Sequence, residues 1–133
     1  GHSGSMTTVH ATSPRDAMVR LETLSLMSDV ELPVYVARAQ AASAINLVVQ
    51  LSRFTEDGSR KVTRITEQCG LDEQNRFSFR DLFVSRLTGH RADGMLEAAL
   101  DPTGEQPSFA AEPFEYGLDG MIAHTSELWR REG

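Results

Sequence analysis

The first part of the chain follows the three- and four-residue period of an amphipathic helix. Apolar residues recur at that spacing from about Pro14 to Met27. Ser13 is a suitable N-cap and Pro14 suits the first helical position, which favours a helix start there. A second helix is predicted from Leu32 and Pro33 to about Ala44. The first helix is expected to bury an apolar face made of Ala17, Met18, Leu21 and Leu24.

The period changes to two after the second helix. Between Ile45 and Phe54, and again from Arg60 to Glu67, apolar residues alternate with other residues, which is typical of strands. Glu56 to Ser59 has turn chemistry, so a β-hairpin is predicted. Phe77 to Phe79 indicates a third short strand, and Ser5 to His10 contains a short β-prone run.

The pattern loosens after about Gly89. Asp101 to Gly104 and Gln106 to Pro107 contain residues that break regular structure. Two short helical stretches are predicted, from Ser108 to Tyr116 and from Leu118 to Trp129. We therefore expect an α/β fold in residues 1–88, followed by a variable tail with short helices in residues 89–133.

Length and charge limit the classes of function. The 133 residues suit one modest domain, and 19 acidic against 13 basic residues give a net charge of −6. That balance disfavours a general phosphate-backbone binder, so we expect no directly bound nucleic acid. No apolar run approaches the roughly 20 residues that cross a bilayer, and no transmembrane segment is expected. The single cysteine, Cys69, excludes an internal disulfide and a multi-thiolate zinc site.

The basic residues also exclude one nucleotide motif. All of them are Arg except Lys61. A G-x-x-x-x-G-K-[ST] phosphate loop needs a lysine after a glycine-rich turn, with a hydroxyl residue behind it. Lys61 follows Asp57-Gly58-Ser59-Arg60 and precedes Val62, so it has neither the glycine spacing nor the hydroxyl. This chain alone therefore lacks the Walker A phosphate loop.

Two histidines are candidate ligands of a phosphate. His2 and His10 flank a glycine- and hydroxyl-rich stretch from Ser3 to Thr8. Imidazoles and free hydroxyls suit contact with phosphate oxygens, because both can donate hydrogen bonds. The alternative is that His2 remains from an expression tag and His10 merely ends a strand. No third metal ligand lies nearby in sequence, so no metal site is predicted.

Two arginines of the first predicted helix are candidates as well. Arg15 and Arg20 lie five residues apart, and arginine is suited to clamping phosphate or acting across a subunit interface. The alternative is a solvated helix face on which Asp16 and Arg20 form an i,i+4 ion pair. From the residues alone, both interpretations stay open.

One stretch resembles a known family. Residues 1–17 read GHSGSMTTVHATSPRDA and resemble the histidine-box segment of type II/IV secretion ATPases, in the branch that assembles tight-adherence (Flp) pili. The segments RLETL, RAQAASAINLVVQ, DGSRKVTRITE and DLF follow in the family's order, beginning at Arg20, Arg38, Asp57 and Asp81. The resemblance extends to about Phe83, and Asn46 stands where the family often has Asp.

The resemblance implies a fold and a set of roles. Residues 1–88 would be the C-terminal part of a RecA-like P-loop ATPase domain, with helices and a β-hairpin but without the Walker A strand-loop-helix or Walker B. His2, His10 and Arg20 would be catalytic, with His2 sensing the γ-phosphate, and Arg15 would bind the cofactor. ATP and Mg²⁺ would act in the intact protein, and the chain alone would be inactive and bind neither tightly.

The resemblance also implies partners and a location. Such ATPases form homo-hexamers in the cytoplasm, peripheral to the inner membrane, where they work with a membrane platform protein. The expected function is to couple ATP hydrolysis to pilin assembly or protein export, with conjugation also open. The alternative is a non-catalytic interaction module that docks on a secretion motor or a membrane partner.

Overall fold

Two helices and an antiparallel sheet form the body of the protein. The computed structural model describes residues 4–115, 117 and 129. The sheet has four strands in the order β1-β2-β3-β4, so the predicted mixture of α and β structure is confirmed. The elements are α1 (Pro14–Leu26), α2 (Val34–Ala44), β1 (Leu47–Arg53), β2 (Arg60–Leu71), β3 (Phe77–His90), β4 (Leu96–Pro102) and α3 (Glu112–Glu115).

The two long helices begin where local signals place them. Ser13 caps α1, because its hydroxyl accepts a hydrogen bond from the Asp16 amide at 3.0 Å. Pro14 occupies the first helical position, where its missing N–H costs nothing. The second helix, α2, begins directly after Pro33. Both predicted helices are therefore confirmed, with ends that differ by one or two residues.

The strands extend further than their sequence pattern indicates. The predicted hairpin is confirmed as the antiparallel pair of β1 and β2. The third strand, β3, is 14 residues long and crosses the boundary expected between residues 88 and 89, and β4 lies inside the expected tail. These residues form strands because β3 pairs with both β2 and β4, a long-range condition that no local alternation reveals.

The main core lies between the helices and one face of the sheet. Met18, Ala41 and Phe77 are buried there, with Val48 and Phe79 packed against them. Because successive residues of a strand point to opposite faces, Val48 marks the helix-covered face of β1. The β-prone run in Ser5 to His10 forms no strand.

The predicted buried face of α1 is confirmed at Ala17, Met18 and Leu21, but not at Leu24. Leu24 is more than half exposed, whereas Glu22 is buried beside Met18 and Ala17. Glu22 accepts two hydrogen bonds from the Arg38 guanidinium, at 2.9 and 3.0 Å. A buried carboxylate needs such a partner, and hydrophobicity alone cannot show one that lies 16 residues away.

The opposite face of the sheet is partly covered by residues that follow β4. Glu67 is buried there and accepts hydrogen bonds from the backbone amide and the hydroxyl of Ser108. Further along the same face, the Phe83 ring lies 5.8 Å from the ring of Trp129. The stretch predicted as a helix from Leu118 to Trp129 otherwise lies outside the described residues.

Asp57 links the turn between β1 and β2 to the start of β4. One carboxylate oxygen accepts hydrogen bonds from the Ser59 amide and hydroxyl at 2.9 and 2.7 Å. The other accepts from the Leu96 amide at the start of β4, at 2.8 Å. The Ser59 hydroxyl, followed by the Leu96 amide, lowers the pKa of Asp57 to about 2.

Acidification is expected to weaken this link. The pKa of Asp57 is lower in the folded chain than in the unfolded chain, so its stabilising effect is lost as the pH falls from about 4 towards 2. Between neutral pH and pH about 3, we expect the free energy of unfolding of Asp57→Asn to fall by less than that of the wild type. Urea unfolding at both pH values measures this, with Asp29→Asn in the α1–α2 connection as the control. An unchanged pH dependence in Asp57→Asn would contradict the assignment.

Candidate functional site

The histidine candidates fall in different parts of the chain. His2 lies outside the described residues. His10 is exposed, in the extended segment that leads into α1. It lines a groove of about 500 Å³ between that segment, α1 and β1. The amide of Gln50 on β1 donates a hydrogen bond to the Ala11 carbonyl at 3.0 Å and so ties this segment to the sheet.

Asp16 organises the start of α1. Its carboxylate accepts hydrogen bonds from the Thr12 amide at 2.9 Å and from the Arg20 Nε at 3.0 Å. The Thr12 amide, followed by the Arg20 guanidinium, holds the pKa of Asp16 below its ordinary value. The expected i,i+4 pair is therefore present, and it is part of a larger arrangement that also fixes the residue before the N-cap.

Arg20 is held in place and yet remains open to solvent. Its contact with Asp16 uses only Nε, and its side chain is 52% exposed. Within the described part of the chain, neither terminal nitrogen of Arg20 makes a hydrogen bond. An arginine anchored through Nε presents its two terminal N–H₂ groups as a fork, which is the geometry that binds phosphate oxygens.

Arg15 is engaged in a different way. Its guanidinium carbon lies 5.1 Å from the centre of the Phe79 ring, which is a cation–π contact. This contact orients Arg15 over β3, whereas Arg20 is oriented by Asp16 on the helix itself. His10 has a third set of neighbours, in the groove beside β1. Among the described residues, no hydrogen bond joins these three side chains to one another.

The sequence analysis missed two features of the site. Nothing local indicates that Phe79 lies beneath Arg15, because the two residues come together only through packing of α1 on the sheet. The hydrogen bond from Thr12 to Asp16 has a weak signal in the Thr-Ser-Pro-Arg-Asp spacing, which resembles a capping box. The sequence predicted the cap but not this second bond.

The described residues contain neither a metal-ligand cluster nor a helix that could span a membrane. No group of three or more His, Cys, Asp or Glu side chains is placed there to hold a metal ion. None of the helices in that part of the chain has the length and apolar character to cross a bilayer.

Comparison of the sequence with protein families and with curated proteins identifies no relative of this chain. No protein-family model matches the chain, and no curated protein matches it either. The function is therefore argued from the residues and contacts described above.

Proposed function

We propose that this chain is the C-terminal part of the motor domain of a hexameric secretion or pilus-assembly ATPase. In this proposal the fold is the end of a RecA-like domain, and the longer protein supplies the phosphate loop and the acidic motif. The intact hexamer couples ATP hydrolysis to pilin assembly or protein export. The chain by itself hydrolyses no ATP.

The state of Arg20 is the observation that carries the proposal. A trans-acting arginine must be exposed at the surface and free to contact a phosphate of the neighbouring subunit. Arg20 meets these conditions, because Asp16 fixes its Nε while its terminal nitrogens face solvent. Its position in RLETL, behind the histidine-box segment, also agrees with the resemblance in residues 1–83.

The other candidate residues take distinct roles in this proposal. Arg15 contributes to cofactor binding, because a guanidinium stacked on Phe79 keeps its N–H edge available. His10 and His2 act near the γ-phosphate, as the resemblance implies. Arginine and histidine donors fit the oxygens of a triphosphate. The Mg²⁺ is held by the acidic motif of the longer protein and would neutralise phosphate charge during hydrolysis.

The proposed setting follows from the same resemblance. The hexamer lies in the cytoplasm against the inner membrane and contacts a platform protein there. Neighbouring subunits would complete each nucleotide site, with Arg20 reaching the nucleotide of the adjacent subunit. No nucleic acid is bound directly, in keeping with the net charge of −6.

Two tests of the proposal are the sequence of the upstream reading frame and the ATP turnover of the longer protein. We expect the reading frame upstream of Gly1 to encode a G-x-x-x-x-G-K-[ST] motif. The protein expressed from that longer frame should hydrolyse ATP, whereas this chain at the same molar concentration should not. A frame without a phosphate loop, or a longer protein without ATPase activity, would contradict the proposal.

One observation favours a second candidate, a non-catalytic interaction module. β1 carries a row of exposed apolar side chains on the face opposite the helices: Leu47, Val49 and Leu51. Exposed apolar rows mark interaction surfaces more often than catalytic sites. If this candidate is correct, the longer frame lacks a phosphate loop and substitution of Arg20 has no effect on the chain's partner binding.

A further inference from the structure

We propose that an opening in the sheet between β2 and β3 binds a small organic phosphate, whose phosphate group is held by Arg64. The opening forms a cavity of about 480 Å³, bounded by β1, β2, β3 and the residues that lead into α1. We call it the Arg64 pocket. None of His10, Arg15 and Arg20 lines it, so this proposal does not rest on the ATPase function.

The Arg64 pocket lies where two hairpins of the sheet diverge. The pairing of β2 with β3 reaches only as far as Arg64 opposite Val84. Beyond that point β2 pairs with β1 alone, and β3 pairs with β4 alone. The facing backbone edges at Thr63 and Ser85 therefore have no partner strand across the opening among the described strands. Backbone N–H and C=O groups left in this way are available to bond a ligand.

The opening is closed at its far end by Asp57. This residue lies in the turn between β1 and β2, and its carboxylate accepts a hydrogen bond from the Leu96 amide at 2.8 Å. Leu96 begins β4, so the two hairpins are joined both at this contact and at the last β2–β3 pair. The Arg64 pocket is thus part of the fold, as small-molecule sites usually are.

Arg64 is held so that one edge of its guanidinium stays available. Its Nη1 donates a hydrogen bond to one oxygen of Asp81 at 2.8 Å, and the other oxygen accepts from the Thr66 hydroxyl at 2.8 Å. Thr66 is only 1% exposed, so this support is buried, whereas the Arg64 side chain is 43% exposed. Within the described part of the chain, Nε and Nη2 of Arg64 make no hydrogen bond. Those two groups form the fork that binds phosphate oxygens.

Hydroxyl groups around the Arg64 pocket complement that fork. The Ser13 hydroxyl accepts from a backbone amide, and the Ser85 hydroxyl has no hydrogen bond among the described residues, so each can donate to a phosphate oxygen. The Ser52 and Thr63 hydroxyls lie 3.3 Å apart, and Thr63 also donates to a backbone carbonyl of β1. Their free lone pairs can accept from a hydroxyl of the ligand.

The arrangement of donors and the size of the cavity favour an organic phosphate. Arg64 and Ser85 lie on the sheet, whereas Ser13 lies in front of α1, so donors approach from different sides. Such donors suit the three terminal oxygens of a phosphate better than the planar carboxylate. The cavity also exceeds the size of a phosphate group, which leaves room for a hydroxylated body beside Ser52 and Thr63.

NMR titration of the isotope-labelled chain with α-glycerophosphate, at constant ionic strength, tests the proposal. We expect saturable shifts of the Arg64 Nε–H signal and of the Thr63 and Ser85 amide signals. Glycerol should bind roughly tenfold more weakly or not at all, because it lacks the charged group. Inorganic phosphate should shift the same signals with lower affinity, because it makes no contact with Ser52. The absence of saturable shifts, or shifts that spare these signals, would overturn the proposal.

Substitutions of arginine separate the fork from charge alone. Arg64→Gln should weaken α-glycerophosphate binding by roughly tenfold or more, and Arg64→Lys should weaken it too, because lysine keeps the charge but not the fork. Arg86→Gln is the control, since Arg86 also pairs with an aspartate, at 2.7 Å from Asp101, but does not line the pocket. Equal losses in Arg64→Gln and Arg86→Gln, or full affinity in Arg64→Lys, would overturn the proposal.

A second variant covers the case in which Arg64→Gln does not fold. Circular dichroism establishes the fold of each variant. Ser85→Ala removes one proposed donor and leaves the Arg64–Asp81 ion pair intact. We expect it to weaken α-glycerophosphate binding several-fold without a change in the circular dichroism spectrum. Unchanged affinity in Ser85→Ala would remove the hydroxyl contact and with it the proposed site.

Discussion

Replacing Arg20 by alanine in the longer ATPase is expected to lower ATP turnover about 10³-fold or more, with nucleotide binding retained. The reason is electrostatic, since an arginine that contacts the transferred phosphate stabilises charge that develops mainly in the transition state. Arg20 is suited to that role because Asp16 holds it through Nε alone. ATP turnover and binding of a fluorescent ATP analogue, measured at equal hexamer concentration, separate the two effects.

The chain offers a closely matched control. Arg76 also contacts an aspartate four residues earlier through Nε, at 3.3 Å from Asp72 against 3.0 Å for Arg20 and Asp16. Its side chain is 64% exposed, against 52% for Arg20. Arg76→Ala therefore removes a similar exposed ion pair, in the turn between β2 and β3. We expect it to leave turnover unchanged, because exposed pairs of this kind contribute little to stability.

Other outcomes would assign Arg20 differently. Equal effects of Arg20→Ala and Arg76→Ala would mean that Arg20 is a surface ion pair without a catalytic role. A loss of nucleotide binding together with turnover would place Arg20 in the binding of ATP.

Arg15→Ala is expected to raise the KM for ATP more than it lowers kcat, because we propose that Arg15 acts in binding.

Replacing Met18 by alanine is expected to lower the free energy of unfolding by about 2–5 kcal/mol. Met18 has no exposed surface and lies at the centre of the cluster that joins α1, α2 and the sheet. Truncation removes buried apolar surface and leaves a cavity that the helices fill only in part. For a chain of 133 residues, this corresponds to a fall of roughly 8–20 °C in the Tm.

Met6 is the matched control for this substitution. It is the same residue type, fully exposed in the segment before α1. Met6→Ala should change the free energy of unfolding by less than about 0.5 kcal/mol. Urea and thermal unfolding of both variants measure the difference. Similar stability of Met18→Ala and the wild type would show that α1 does not pack on the sheet as described.

The elements that the sequence predicted well are those with local causes. α1 begins at Pro14 because its cap, its first-turn proline and its apolar spacing all lie within a few residues. The β1–β2 hairpin likewise follows from two alternating segments and the turn residues between them. The Asp16–Arg20 pair has the same origin, since an i,i+4 spacing on a helix brings the two side chains together.

The elements that the sequence missed depend on residues far along the chain. β3 continues to His90, and β4 follows it, because each strand is completed by its neighbours in the sheet. The β-prone run from Ser5 to His10 shows the converse, since it has the propensity but no strand pairs with it. Strand propensity is realised only where backbone partners exist.

By itself, the sequence determined the two helices, the first hairpin and the Asp16–Arg20 pair, because the caps, turn residues and apolar spacing that specify them lie close together along the chain. The tertiary structure alone decided that Glu22 rather than Leu24 faces inward, since the carboxylate is matched to Arg38. It also decided that Arg15 lies on Phe79 while Arg20 stays open. These choices depend on which surfaces meet when the helices pack on the sheet, and residues distant in sequence supply those surfaces.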